Sequence, residues 1–235
     1  MHLPARMTIQ EIEGITLEEP HTETSASGKG EVWSHRLIYA KSQIPALVDA
    51  IQEYHANCGR YARYSPSLFL SICTLPIVYF KPVLMAVPVF NGPQYEAFNL
   101  FSGFYEANPL ATLPTFVSSP SVKGGLYEGI ELENSYKRTV NIGNVTARNL
   151  NTLTAWFTEY VSQVGQEALQ SMILMDLTKS GNSDATDGEN SSGGEVTVQI
   201  FASGQEEYEE YAREWSDGLI HQINMIELGL RDGES

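Results

Sequence analysis

At 235 residues, with 42% hydrophobic and 10% aromatic content, the chain is long enough to bury one large core or two packed halves, which excludes a disordered polymer. A formal charge of −15, from 29 acidic and 14 basic side chains, repels phosphate backbones and anionic lipid. Nucleic acid and membrane surfaces are therefore not expected partners.

Residues 1–30 combine Glu11, Glu13, Glu18 and Glu19 with the polar run His21 to Gly28 and read as a loose leader. Those acidic residues interrupt the apolar core a signal peptide needs, so the chain as written is expected to be cytoplasmic. From Glu31 the run Val32 to Tyr39 is rich in β-branched and aromatic residues and predicts a strand. Ser42 then opens a helix over 43–57 whose apolar positions Ile44, Leu47, Val48, Ile51 and Tyr54 recur at helical spacing, with Pro45 in its first turn and Gly59 at its end.

Two strands are predicted at 67–74 and 83–90. The apolar stretch Leu68 to Phe90 contains Pro76, Pro82 and Pro88, a density of breakers that a membrane-spanning helix does not tolerate. Asn91-Gly92-Pro93 signals a turn into an aromatic helix over 94–106, which Asn108-Pro109 stops. The middle, Leu110 to Gly143, reads as the least regular part, punctuated by Pro114, Pro120 and Gly124-Gly125, with a strand at 139–142. A helix over 147–164 closes at Gly165, a strand follows at 170–178, and the Gly-, Ser- and Asp-rich run 179–195 reads as a flexible acidic loop. A strand at 196–202 and a helix at 205–227 with Tyr208, Tyr211, Trp215, Leu219, Ile223 and Ile226 inward complete the series before the tail 228–235.

The order helix, strand, strand, helix thus occurs twice, over 43–106 and 146–227. The fold class expected is α+β, a single domain over 31–227 with halves at about 31–108 and 139–227 that merge into one antiparallel sheet with helices on one face. Strand alternation sorts Leu68, Leu70 and Ile72 from Phe69, Ser71 and Cys73, Ile173 and Met175 from Leu174 and Asp176, and Val198 and Ile200 from Gln199 and Phe201.

Chemistry is harder to find. There is no Gly-rich phosphate turn between a strand and a helix. His2, His21, His35, His55 and His221 are scattered, so no metal site is expected. Cys58 and Cys73 read as reduced thiols, since two cysteines make no disulfide framework. Asn144-Val145-Thr146 and Asn190-Ser191-Ser192 match the glycosylation sequon. What remains is a set that suits an aromatic, weakly polar small-molecule pocket on the open sheet face: Trp33, His35, Tyr39, Ser71, Asp176 and Gln199, with Thr178 beside them.

Residues Gly30 to Tyr39, continuing through Gln43 to Ile51, resemble the start of the substrate (cap) domain of fungal FAD-linked oxidoreductases of the berberine-bridge-enzyme-like type. The resemblance extends through Val87 to Pro93 and to about residue 202. It implies a substrate domain of secondary metabolism, with FAD as the cofactor of the full-length family, whose members are often secreted. In that family a flavin portion with a Gly-Gly-His type attachment segment precedes this domain and an Asn-Tyr segment follows it. Neither Met1 to Gly30 nor Ile223 to Ser235 matches those segments. The expectation is a truncated or stand-alone substrate domain that binds no cofactor by itself, and no catalytic residue is carried over. The alternatives are a cofactor-free cyclase or isomerase acting on a small aromatic or polyketide-like molecule, and a non-catalytic binding protein that forms a homodimer through the open sheet face.

Overall fold

Strand β1, Glu31–Tyr39, forms where the sequence alternates: Val32 and Ile38 pack on one side, Leu37 and Tyr39 on the other. The computed structural model describes residues 31–75, 81–118, 135–165, 171–178, 196–203 and 208–227. The leader, the acidic loop at 179–195, the tail and the second sequon lie outside the described residues.

Helix α1, Ile44–Asn57, buries the expected stripe of Ile44, Leu47, Val48, Ile51 and Tyr54. Gly59 does not end it. The backbone there stays out of the left-handed region a terminating glycine adopts, so the chain tightens into a 3-10 helix over Cys58–Tyr64 and turns at Ser65, where φ is 47°. Strands β2, Ser67–Thr74, and β3, Pro82–Phe90, follow as predicted.

The expected helix 94–106 is two: α2, Gln94–Leu100, and α3, Ser102–Glu106, separated by a break at Phe101, where φ is −105° and ψ 14°. Asn108, at φ 56°, stops the second. The supposedly irregular middle supplies two strands. Ala111–Ser118, β4, was hidden by Pro114, yet β4 pairs only with β1 among the described residues, and an edge strand tolerates proline. β5, Ser135–Ile142, is longer than the predicted 139–142. Helix α4, Ala147–Val164, starts on a capping box in which Thr146 Oγ1 accepts from the Asn149 N–H and Asn149 Oδ1 accepts from the Thr146 N–H. Gly165, at φ 69°, ends it. Then come β6, Met172–Asp176, β7, Val196–Ser203, and α5, Glu209–Glu227.

The seven strands of the described residues join one sheet in the order β4-β1-β3-β2-β6-β7-β5, every pair antiparallel. The first half, β1-α1-β2-β3-α2-α3-β4, has the order 4-1-3-2 of the split β-α-β motif. The second, β5-α4-β6-β7-α5, repeats its first five steps, with β7 between β5 and β6 as β3 lies between β1 and β2. The duplication seen in sequence is therefore a duplication of fold, and each unit begins with a strand. The halves meet at the β2–β6 seam, where Ile72 faces Ile173 and Ser71 faces Leu174.

The helices share one face. There Leu37, Leu70, Ile72, Leu84, Met175 and Val198 pack under Leu47, Phe101, Phe157, Tyr160, Trp215 and Leu219 in one continuous core. At about 25 cal/mol per Å² of apolar surface removed from water, burial of this kind is the main term holding the halves together. On the opposite face smaller clusters form around Phe69, Val87, Val89 and Leu174, and around Ile38, Cys73 and Val83. None of the described helices lies on that side.

Candidate functional site

The six residues singled out in the sequence are divided between the two faces. Trp33, His35 and Tyr39 belong to the helix-covered face, because odd-numbered positions of β1 carry the core residue Leu37. Their expected place on the open face is thereby corrected: Ser34, Arg36 and Ile38 point there instead.

Trp33 stacks on Phe101 with ring centroids 5.7 Å apart and lies 4.7 Å from His35. The Tyr105 hydroxyl is 2.6 Å from His35 Nδ1, which joins α3 to β1. Burial pulls His35 below its ordinary range, toward the neutral form. Tyr39 is fully buried and its hydroxyl donates to the Phe104 carbonyl at 2.7 Å. Burial, with a smaller contribution from Tyr105, holds its phenol far above the usual range. His35 and Tyr39 fasten α3 to the sheet, and Trp33 packs on α2 and on the break at Phe101.

Ser71, Asp176 and Gln199 do meet on the helix-free face. Cross-strand register runs Ile38–Met85–Ser71–Leu174–Gln199–Thr139 across six strands. Leu174 has Ser71 directly beside it on β2, Gln199 directly beside it on β7, and Asp176 two residues along its own strand. Same-face neighbours at these offsets lie about 4.5–8 Å apart, so one small molecule can touch all three. The Ser71 hydroxyl reaches the Met85 carbonyl at 3.5 Å, and Asp176 Oδ1 accepts from the Thr178 N–H at 3.0 Å. Asp176 and Gln199 remain half-buried, while Leu174 is 6% exposed.

Chemically this is an apolar centre ringed by a hydroxyl, a carboxylate and an amide. It holds no nucleophile paired with a base. Burial pushes the Cys73 thiol up to about 11, against smaller opposing effects of Ser71 and the Arg36 guanidinium, so it stays protonated near neutrality. Among the described residues no cluster of His, Cys, Asp and Glu has the grouping needed to hold a metal ion. Arg36 is the charged group the sequence reading missed; its alternation with Ser34 and Ile38 was the available signal.

A pocket of about 310 Å³ lies at one end of the seam, where the 3-10 helix after α1 meets the start of β2 and the end of β6. Tyr54, Cys58, Gly59, Ser65 and Thr178 are among its lining residues. Of these only Thr178 was named beside the candidate site residues in the sequence; Tyr54, Cys58 and Gly59 were read there as a core position, a reduced thiol and a helix end, and the β2–β6 pairing brings them to it.

No protein-family model matches the sequence, and no curated protein matches it. Solved structures share its fold. Berberine-bridge-enzyme-like protein 28 of Arabidopsis thaliana aligns over 82% of this chain and 42% of its own, at 10% identity and a TM-score of 0.51. Berberine-bridge-enzyme-like protein 1 of Physcomitrella patens aligns over 83% of this chain and 44% of its own, at 11% identity and 0.51. GilR, an oxidoreductase that catalyses the terminal step of gilvocarcin biosynthesis and was solved with pregilvocarcin, aligns over 83% and 42%, at 12% identity and 0.50. The chain spans less than half the length of these structures, and at such identities the likeness concerns the fold alone.

Proposed function

We propose that this chain is a substrate-type domain of the kind found in FAD-linked oxidoreductases of the berberine-bridge type, and that its helix-free sheet face forms one wall of a small-molecule site. The observation that carries this reading is the convergence of Ser71, Asp176 and Gln199 around Leu174 on the face that none of the described helices covers. The fold likeness supports it, because most of this chain aligns with under half of each of these structures, as a single domain of a larger enzyme does. On this reading the chain contributes shape and hydrogen bonds to an aromatic or polyketide-like ligand, and redox chemistry belongs to a flavin portion that this domain faces. By itself the domain holds no FAD.

Purified chain mixed with excess FAD and passed through gel filtration is expected to elute colourless, and flavin absorbance travelling with the protein peak overturns the claim that it holds no FAD. A thermal-shift screen against aromatic polyketides tests the wall. At least one is expected to raise Tm, with the gain reduced in Gln199→Ala, whereas a flat response across the screen refutes the binding role.

A further inference from the structure

On the helix-free face one charge has no counterpart. Of the strand residues described on that face, Arg36, Asp176 and Lys137 are charged. Asp176 accepts from the Thr178 N–H, and Lys137 is exposed on the edge strand β5. Arg36 is half-buried and makes no ion pair or hydrogen bond with any described residue. Register sets Arg36, Val87, Phe69 and Asp176 in one row across β1, β3, β2 and β6, so the guanidinium and the carboxylate start from backbones about 14 Å apart, three strand spacings. A half-buried guanidinium without a counter-ion loses hydration and recovers nothing for it, although acids outnumber bases 29 to 14 in the chain.

We propose that Arg36 binds the carboxylate of a small organic acid, which makes the ligand of the sheet face an anion with an apolar body. The proposal rests on the reading of that face as a ligand-binding wall and adds the ligand's charge. Two apolar side chains with surface to offer flank the guanidinium. Leu113 stands directly beside Arg36 on β4 and is 37% exposed, and Met85, half-buried on β3, lies beside Ile38, the next residue of β1 on that face. An organic acid covers both; an inorganic anion covers neither. Met85 is in turn directly beside Ser71, so the apolar body leads from Arg36 toward Leu174 and Gln199. Asp176 sets the direction, because a carboxylate placed at its end of the face meets a like charge. The charge of Arg36 is felt at the Cys73 thiol on β2, two strands away, so the guanidinium lies over the sheet rather than beyond its edge. One guanidinium on a chain of net charge −15 favours a monoanion over a polyanion.

The test uses the full chain with 2-naphthoate as the probe, 2-naphthamide as its neutral counterpart and acetate as an anion without an apolar body. Fluorescence anisotropy of the naphthyl group gives Kd, and urea denaturation gives the stability of each variant. 2-Naphthoate is expected to bind roughly ten- to a hundredfold more tightly than 2-naphthamide, the range of a hydrogen bond to a charged group. Acetate at equal concentration should not displace it. Arg36→Met keeps the apolar stem and removes the charge, so it should bring the Kd for 2-naphthoate to that of 2-naphthamide, with Arg36→Lys recovering part of the difference. Arg36→Met should also be no less stable than the parent, because it removes a charge that no described residue neutralises.

Absence of 2-naphthoate binding, equal binding of 2-naphthamide, 2-naphthoate binding unchanged in Arg36→Met, or a destabilised Arg36→Met each overturns the proposal. The wall itself is judged by the polyketide screen and Gln199→Ala, so the two readings fail separately. Neutral polyketides that raise Tm, with no preference for 2-naphthoate over 2-naphthamide, leave the wall standing and defeat the carboxylate. Binding of 2-naphthoate through Arg36 beside a flat polyketide response does the reverse.

Discussion

Replacing Tyr39 by Phe separates a ligand-contacting role from a structural one. The Tyr39 hydroxyl lies in the core and donates to the Phe104 carbonyl at 2.7 Å. Phe104 sits in the last turn of α3, where helix carbonyls lack an intrahelical donor; the neighbouring Gly103 and Tyr105 carbonyls are served by Ala107 and Asn108. Removing the phenol oxygen leaves a buried acceptor without its donor, at a cost of about 1–3 kcal/mol, the desolvation penalty being larger than the net value of an ordinary hydrogen bond. For a chain of this size that corresponds to a fall in Tm of roughly 2–4 °C per kcal/mol. Urea denaturation followed by tryptophan fluorescence should show a lower midpoint with an unchanged slope, since the surface exposed on unfolding is the same. Any ligand bound at the helix-free face should bind the folded variant as it binds the parent. An unchanged midpoint, or a loss of ligand affinity without loss of stability, refutes the assignment of Tyr39 to the α3 anchor.

Thr146→Ala removes the N-cap of α4 and one arm of its capping box, and should cost about 1 kcal/mol in the same denaturation assay, with Thr146→Ser recovering most of it. Gly92→Ala places a Cβ 2.5 Å from Tyr64 Cδ1 and 2.7 Å from Phe90 Cε1, so calorimetry should show destabilisation of about 1–3 kcal/mol through overpacking. His35 is held below its ordinary range by burial, so the unfolded chain binds more protons and stability should fall as pH drops through and below about 6.5; Tm measured against pH should lose this acid-side slope in His35→Gln. Tyr39, Tyr54 and Tyr105 are all raised by burial, so their contribution is complete below the unfolded phenol value of about 10 and is lost as pH rises beyond it; alkaline unfolding monitored by phenolate absorbance should be cooperative, with no separate early titration of these three.

Much of the architecture was legible because it is local. The stripe Ile44, Leu47, Val48, Ile51 and Tyr54 identified α1, the alternation Leu68, Leu70, Ile72 identified the buried side of β2, and repetition of the element order identified two halves. β4 was not legible: Pro114 is a valid breaker signal in a central strand, and nothing within Ala111–Ser118 says that the strand lies at an edge. The break at Phe101 escaped notice for the opposite reason. Tyr95, Phe98, Leu100, Phe101 and Tyr105 look continuous by periodicity, but packing of Phe101 between Trp33, Tyr54 and Phe90 sets its backbone.

For the candidate site the division is sharper. By itself the sequence determined that Ser71, Asp176 and Gln199 are polar interruptions on the non-core side of three apolar strands, because side-chain direction in a strand has a period of two residues and needs no partner to define it. Tertiary structure alone decided that these strands lie in the order β2-β6-β7, bringing the three around Leu174. It alone placed Trp33, His35 and Tyr39 on the other face, and it alone opened a pocket between Tyr54 and Thr178. The reason is that pairing and register are long-range choices, settled by how the two apolar faces pack under the helices rather than by any property of a single strand.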